Sequence, residues 1–261
     1  MKLDNVELLN FANSFADISG SILRKSFFKN FKIEEKNDGT LVTEIDIKIE
    51  SKFRNFLKKK FPDHGVVGEE FGTYQNNNEY VWVIDPLDGT HSFISGKPLF
   101  GTLICCMRNN KPILGLIDIP IMNQRWHGAK NIGVKLNKRK CKLQLSKKKF
   151  SNLIMASTSF LMFSEKQQKI IKNIYKKIKI PVFGTDCYAY GLLISGKIDL
   201  IIEANMKPWD YMAQAFLINE LGGVISDWRG QELNLNSNGK VVASYDVRHH
   251  KTILGLINDI S

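Results

Sequence analysis

The sequence predicts a mixed α/β fold in which sheets are covered by helices, and three observations support this prediction. Short apolar runs alternate with helical patterns through the carboxyl half, whereas the amino half reads as two helices followed by strands. The chain has 261 residues and 43% hydrophobic content, which is enough to bury a large core. We therefore expect two halves, residues 1–150 with an α+β pattern and residues 151–261 with an α/β pattern.

The amino half begins with two amphipathic helices. The first has an acidic start and an apolar stripe made of Phe11, Phe15, Ile18 and Ile22. This spacing indicates a helix packed on a core and not a signal peptide. The second helix follows Thr43, ends before Pro62, and has apolar positions at Ile45, Ile49, Phe53, Phe56 and Leu57. Strands are predicted next, at residues 80–84, 102–107 and 113–119.

The carboxyl half alternates between the two kinds of element. Apolar runs predict strands at residues 153–156, 180–183, 198–202 and 241–244. Apolar positions at helical spacing predict helices at residues 164–177, 187–195 and 211–221, with a final helix after the last strand. Such alternation is typical of a sheet with helices packed on its faces.

The strongest functional signal lies at the end of the predicted strand 80–84. The apolar run stops at two carboxylates, Asp85 and Asp88, which are followed by Gly89 and Thr90. A buried strand does not end in unpaired carboxylates without a partner that offsets their desolvation, and a divalent cation is such a partner. Gly89 lets the backbone approach a ligand, and a helix beginning at Thr90 would point N–H groups at an anion. A plain turn is the alternative, because Asp-Pro-x-Asp-Gly is good turn chemistry.

Further acidic residues occur in three other segments. Thr43 and Asp46 open the second helix, and Glu69 lies within a Gly-Glu-Glu run. Asp210 follows Trp209 at the start of a helix of small residues. Structural alternatives exist, since Thr43 with Asp46 fits a helix capping pair and Asp210 fits a residue favoured by the helix dipole. The combined set is nevertheless far more specific than any single pattern in it.

These segments, in this order, resemble the inositol monophosphatase superfamily of metal-dependent phosphomonoesterases over nearly the whole chain. Residues 93–104, 184–193, 198–203 and 207–211 are most similar to the histidinol-phosphate phosphatase branch. Two positions depart from that branch: Trp209 stands where it usually has Tyr, and Thr185 stands where it often has a second Gly. The resemblance implies a layered α-β-α-β-α sandwich of the inositol monophosphatase and fructose-1,6-bisphosphatase type, with the site between the two halves.

The resemblance also implies a set of site residues. The implied ligands of two or three Mg²⁺ ions are Glu69, Asp85, the carbonyl of Leu87, Asp88 and Asp210. The implied catalytic residues, which would orient and deprotonate the attacking water, are Glu69, Thr90 and Asp46. The implied substrate-binding residues are Glu69, Leu87, Asp88, Gly89, Thr90, Gly184, Thr185, Asp186, Glu203 and Asp210. Such hard oxygen donors select Mg²⁺ over metals that prefer thiolate or imidazole.

The chemistry of the substrate is consistent with this branch. Histidinol phosphate carries a cationic amine and an imidazole beside its phosphate ester, so its pocket needs hydrogen-bond acceptors as well as metal ions. By the resemblance, Asp186 and Glu203 would supply them; the alternatives are a helix N-cap for Asp186 and an exposed strand end for Glu203. We expect a histidinol-phosphatase of histidine biosynthesis that uses a metal-activated water. An inositol-1-monophosphatase or another small-molecule phosphate monoesterase is the alternative.

The formal charge of +11 raises the separate possibility of a nucleic-acid-binding module. The densest basic stretch, residues 135–149, is interrupted by Leu143 and Leu145, an alternation that predicts a strand with a solvated lysine face. No aromatic residues are interleaved there to stack on bases. A non-enzymatic, nucleic-acid-binding role is therefore the least favoured hypothesis.

Other classes of function find little support in the sequence. There is no Walker-type loop and no Cys-x5-Arg loop, and the four cysteines and five histidines show no metal spacing. No apolar stretch is long enough to span a membrane. Few cysteines and no export signal predict a reducing, cytoplasmic location. The resemblance implies a homodimer that acts on a small-molecule phosphate monoester.

Overall fold

The computed structural model describes residues 4–36, 39–74, 77–142 and 148–258 of the chain. The helices are α1 (Asn5–Ser26), α2 (Glu44–Lys60), α3 (Thr90–Ile94), α4 (Glu165–Tyr175), α5 (Tyr188–Ile194), α6 (Pro208–Glu220) and α7 (Val247–Asn258). The first ten strands are β1 (Ile33–Glu35), β2 (Leu41–Thr43), β3 (Gly65–Gly68), β4 (Gly72–Tyr74), β5 (Tyr80–Asp88), β6 (Gly101–Arg108), β7 (Lys111–Ile119), β8 (Gln124–Ala129), β9 (Gly133–Leu136) and β10 (Arg139–Lys140). The remaining strands are β11 (Ile154–Ser157), β12 (Ile180–Phe183), β13 (Leu200–Glu203), β14 (Val224–Ser226) and β15 (Val241–Ser244).

The strands form two main sheets. The first has eight strands in the order β10-β9-β8-β7-β6-β5-β3-β4, and the second has five in the order β12-β11-β13-β15-β14. From β5 to β10 the first sheet is an antiparallel meander, whereas β3 runs parallel to β5. In the second sheet β11 is parallel to both of its neighbours, and β15 is antiparallel to β13 and β14.

Helices and sheets stack in five layers. One face of the eight-stranded sheet packs on α1 and α2 through residues such as Phe15, Phe53 and Trp82. Its other face shares a core with α5, α6 and the five-stranded sheet, and α4 and α7 cover the outer face of that second sheet. The layered α-β-α-β-α sandwich implied by the sequence is therefore confirmed, with α6 in its central layer.

Local sequence explains how several elements begin and turn. Asp4 caps α1 by accepting a hydrogen bond from the Val6 amide, which satisfies a donor that the helix leaves unpaired. Thr43 caps α2 in a capping box with Asp46. Asn109 and Asn110, both with positive φ, connect β6 to β7, as expected of a tight hairpin.

Most predicted elements are present, but several strands were missed. The strands predicted at 180–183 and 241–244 coincide with β12 and β15. The strands β1, β2, β3, β4, β8 and β14 were not predicted, because they are short or contain glycine and polar residues without a clear alternation. The predicted strand 80–84 is longer in the structure and continues through Asp88, so both aspartates lie within the strand.

Two smaller expectations also need correction. Ile18, assigned to the apolar stripe of α1, is 37% exposed. In the basic stretch, β9 and β10 pair as a hairpin instead of forming one long strand, because Asn137 adopts positive φ and reverses the chain. Leu143 and Leu145, on which the alternation depended, lie outside the described residues.

Candidate metal centre

The irregular end of β5 brings its two aspartates toward α6. Val83 belongs to the core shared with α6, whereas Trp82 and Ile84 pack toward α1 and α2, so the alternation of the strand turns Asp85 toward α6. The pairing of β5 with β6 shifts register between Asp85 and Asp88. Within this irregularity the Leu87 amide donates a hydrogen bond to Asp85 Oδ1 at 2.9 Å.

Asp85, Asp88 and Asp210 form one acidic cluster at this point. A carboxylate oxygen of each residue lies within 4.8 Å of those of the other two. Asp210 is placed by the start of α6, where its side chain accepts the Lys207 amide at 2.7 Å. Asp88 accepts the amide of Cys187 at 2.7 Å, a bond that joins the end of β5 to the start of α5.

Burial raises the pKa of all three carboxyl groups, and the charges of neighbouring carboxylates raise it further. For Asp85 the charges of Glu69, Asp88 and Asp210 add to the effect of burial. Burial and the charge of Asp186 raise the pKa of Asp88 to about 7. A site that gathers negative charge in this way fits a divalent cation, and an all-oxygen donor set fits Mg²⁺.

Glu69 reaches the cluster from the turn between β3 and β4. Because β3 pairs in parallel with β5, residues following Gly68 lie beside the end of β5. The charge of Glu69 is the largest influence on the pKa of Asp85 after burial. Lys36 Nζ lies 3.2 Å from Glu69 Oε1 and 2.9 Å from Glu70 Oε2, and thereby contributes a positive charge at the edge of the cluster.

Asp46 contacts both Thr43 and Thr90. Asp46 Oδ2 accepts the Thr43 amide at 2.9 Å and also the Thr43 hydroxyl, so the capping pair that was the structural alternative does form. The Thr90 hydroxyl lies 3.4 Å from Asp46 Oδ1 and 3.1 Å from the Leu87 carbonyl. Burial raises the pKa of Asp46 to about 6. Capping and contact with Thr90 therefore use different oxygens of one carboxylate.

The segment 184–186 faces α3 and the residues on either side of it. Asp186 Oδ2 accepts the Ser92 hydroxyl at 2.5 Å, and the Gly184 carbonyl accepts the Lys97 ammonium. A Cβ at Gly89, where φ is +80°, would lie 3.1 Å from the Asp186 carboxyl carbon, so glycine fits both the backbone and the space. Asp186 is not the N-cap considered as an alternative, because Cys187 holds that position.

Glu203 is buried at the end of β13, with only 2% of its surface exposed, so the exposed strand end considered for it is wrong. Its Oε1 accepts the Thr158 amide at 2.9 Å and the Thr158 hydroxyl at 2.6 Å. Its Oε2 accepts the Tyr190 hydroxyl at 2.8 Å. The charge of Glu203 contributes to the raised pKa of Asp88, which places this carboxylate near the acidic cluster.

The remaining implied residue, Thr185, is buried, and its hydroxyl has no hydrogen-bond partner within the described part of the chain. The sequence also left some site residues unnoticed. They are Lys36, Ser92, Thr158 and Tyr190, which contact the implied site residues through side chains. None of them stands in a distinctive pattern, since each meets its partner only after distant parts of the chain come together.

Known proteins resemble this chain over most of its length. The family model described as the inositol monophosphatase family matches residues 4–261. A chloroplastic bifunctional phosphatase IMPL2 from Arabidopsis thaliana is 42% identical over 248 residues, covering 93% of this chain and 71% of that protein. A histidinol-phosphatase from Chlorobaculum parvum is 29% identical over 238 residues, which cover 90% of this chain and 92% of that protein.

A solved structure shows the same overall shape. An inositol monophosphatase from Zymomonas mobilis superimposes with a TM-score of 0.88 and 31% sequence identity, covering 98% of this chain and all of that one. None of the helices in the described ranges has the length and hydropathy needed to cross a membrane.

Proposed function

The chain belongs to the inositol monophosphatase family of phosphatases, and from this premise we propose that it hydrolyses L-histidinol phosphate to L-histidinol and phosphate in a Mg²⁺-dependent reaction. Members of this family typically require Mg²⁺ and act on small phosphate monoesters. The observation that supports the finer proposal is the presence of two acceptors, Asp186 and Glu203, beside the three-aspartate cluster. A cationic substrate needs such acceptors next to its phosphate site.

In this proposal Glu69, Asp85, Asp88, Asp210 and the Leu87 carbonyl hold two or three Mg²⁺ ions. The bound ions would polarise the phosphate ester, lower the pKa of a water and stabilise the leaving oxygen. Burial of the carboxylates supports this assignment, because their repulsion in the metal-free protein is relieved by a cation.

The chain's own groups would orient the reaction. Thr90, held between Asp46 Oδ1 and the Leu87 carbonyl, would align the attacking water and pass its proton toward Asp46 or Glu69. The amides of Gly89 and Thr90, at the start of α3, would hold phosphate oxygens. Asp186 would accept a hydrogen bond from the substrate's amine or hydroxyl while Ser92 keeps its carboxylate in place.

The nearest alternative keeps the same chemistry and changes the substrate to inositol 1-phosphate or another small monoester. This alternative is supported by the 31% sequence identity between this chain and the Zymomonas mobilis inositol monophosphatase, whose whole length is matched. The two proposals are separated by measuring Mg²⁺-dependent phosphate release from L-histidinol phosphate and inositol 1-phosphate side by side. Higher kcat/KM on inositol 1-phosphate would reject the histidinol phosphate assignment and leave the metal mechanism standing.

Glu203→Gln tests whether this carboxylate contributes to substrate choice. We expect the ratio of kcat/KM on histidinol phosphate to kcat/KM on inositol 1-phosphate to fall about 10-fold, as for a lost charged hydrogen bond. The metal-dependent turnover of inositol 1-phosphate should be kept. The matched control is Tyr190→Phe, which removes a donor to Glu203 Oε2 without changing the carboxylate. An equal loss on both substrates in Glu203→Gln would mean that Glu203 only supports the fold.

A further inference from the structure

Glu50 is a fully buried glutamate on α2, one helical turn after Asp46, and it lies outside the acidic cluster. Its carboxylate accepts hydrogen bonds from four N–H groups. Arg54 donates Nε at 2.9 Å and Nη2 at 2.8 Å to Oε1, the Glu70 amide donates to Oε2 at 2.7 Å, and the Phe71 amide donates to Oε1 at 3.1 Å. Glu50 is therefore a compensated buried charge, unlike the aspartates of the cluster.

Two of these four bonds, those from the Glu70 and Phe71 amides, fix the turn that carries Glu69. A Cβ at Gly68 would lie 2.1 Å from Glu50 Oε1, so the carboxylate occupies the space that any other residue at this position would need. Arg54 extends the same support to the end of the turn, since its Nη2 donates to the Gly72 carbonyl at 2.5 Å and its guanidinium lies 5.7 Å from the centre of the Phe71 ring. Glu69 thus lies between Gly68, which packs closely against the Glu50 carboxylate, and Glu70, whose amide donates to it.

We propose that Glu50, supported by Arg54, is a positioning residue that sets the affinity of the metal centre: it binds the backbone amides that follow Glu69 and packs against Gly68, which precedes it. This inference rests on the proposed role of Glu69 as a metal ligand. A ligand on a turn that is already ordered loses less conformational freedom when the cation binds. Residues that orient metal ligands without touching the metal typically contribute about 10- to 100-fold to metal affinity.

A merely structural role for Glu50 makes a different prediction. If Glu50 only joins α2 to the β3–β4 turn, its loss lowers the melting temperature and leaves the affinity for Mg²⁺ unchanged in the protein that remains folded. If it positions Glu69, the affinity falls at temperatures far below the melting transition. The affinity for Mg²⁺, measured on the folded protein, therefore distinguishes the two roles without reference to any substrate.

The experiment is isothermal titration calorimetry of Mg²⁺ into the full chain and its variants at 15 °C. We expect the Kd of Glu50→Gln to rise about 10-fold, and that of Arg54→Gln to rise less, because two backbone donors still hold Glu50. Arg54 is partly exposed, so its variant keeps the test open if Glu50→Gln does not fold. The matched control is Glu7→Gln, which breaks an exposed ion pair with Lys60 and should leave the Kd unchanged.

A double-mutant cycle shows whether the effect passes through Glu69. In the Glu69→Gln background, Glu50→Gln should weaken Mg²⁺ binding by no more than about two-fold further, since the ligand it positions is already lost. A full, additive loss in that background would overturn the proposal, as would an unchanged Kd in both Glu50→Gln and Arg54→Gln. If Glu69→Gln alone binds Mg²⁺ like the unaltered chain, the ligand assignment in the proposed function fails, and the Glu50 inference fails with it.

Discussion

Asp85 and Asp118 lie at the same end of the eight-stranded sheet but on opposite faces. Asp85 pairs with Leu103 on β6, and the neighbouring Thr102 pairs with Asp118 on β7. Asp118 faces α1, where its Oδ1 accepts Arg125 Nε at 2.7 Å, and Arg125 also contacts Asp17 at 2.8 Å. Asp85 faces α6, where Asp88 and Asp210 add further negative charge.

The difference separates two uses of a buried carboxylate. On the α1 face the Arg125 guanidinium offsets part of the desolvation that raises the pKa of Asp118, and it also contacts Asp17, so the pair ties a helix to the sheet. On the α6 face burial and the charges of Glu69, Asp88 and Asp210 raise the pKa of Asp85. The nearby Lys36 contacts Glu69 and Glu70 and not these aspartates. Unbalanced charge in a rigid, buried position is the arrangement expected where a ligand completes the balance.

The largest effect should come from Asp88→Asn. We expect phosphate release to fall about a thousand-fold or more, because the proposed metal centre loses a ligand worth several kcal/mol of transition-state stabilisation. The metal-free variant should melt at the same temperature as the unaltered chain or higher, since one like charge is removed from the cluster. Steady-state kinetics and circular dichroism test both parts, and a fully active variant would contradict the metal-site assignment.

Asp118→Asn should show the opposite profile. Leaving Arg125 without its buried partner should lower the free energy of unfolding by about 3 kcal/mol. Because Asp118 faces α1 and not the cluster, kcat and the Mg²⁺ requirement should be unchanged well below the melting temperature. Urea denaturation and phosphate-release assays on the same preparation measure the two quantities. A large loss of kcat in the folded variant would mean that the two faces are coupled.

Mg²⁺ should stabilise the folded protein in a pH-dependent way. At about 100 times its Kd the ion should add about 2.7 kcal/mol to the free energy of unfolding. The pKa of Asp88 in the metal-free protein is about 7, above the ordinary value of 3.8, so this group destabilises the metal-free fold as pH rises from about 4 to 7. Mg²⁺ competes with the proton over the same range, and the thermal shift it causes should therefore be larger at pH 8 than at pH 6.

Variants on the two faces provide the controls for this measurement. Asp118→Asn should keep the Mg²⁺-induced thermal shift, whereas Asp88→Asn should lose most of it. A shift of equal size at pH 6 and pH 8 would argue against Asp88 as a ligand.

The smallest effect is expected at the opposite end of the same sheet. Glu79 pairs with Arg108 at 2.5 Å, but the Glu79 side chain is 52% exposed. Solvent screens such a pair, so Glu79→Gln should change the free energy of unfolding by less than about 1 kcal/mol. A loss as large as that of Asp118→Asn, measured by the same urea denaturation, would show that burial is not what separates the two pairs.

Local signals predicted most helices and strands, and the family resemblance carried by short motifs implied the layers and the acidic cluster. Apolar periodicity marks the helices, and Asp85, Asp88 and Asp210 stand in motifs that remain recognisable in isolation. The sequence did not predict that Glu203 is enclosed by Thr158 and Tyr190, or that Lys36 contacts Glu69, because these contacts join residues more than ten positions apart. The homodimer, the cytoplasmic location and the division at residue 150 stay predictions.

Glu50 shows where a usable signal was overlooked. It follows Ile49 and precedes Phe53 on the buried side of α2, four residues after Asp46 and four before Arg54. An acid among core residues, with an arginine one turn later, indicates a buried ion pair. The sequence could have revealed the pair, but the turn that it anchors is visible only in the folded chain.

The position of α6 has a consequence for motion. Every residue from Tyr211 to Ile218 is buried, and the helix packs against strands of both sheets. Amides in such a helix exchange with deuterium only when the whole molecule opens. Because α6 begins beside Asp210, a cation bound at the cluster should slow deuterium uptake along the entire helix, while the exposed edge strand β4 continues to exchange quickly.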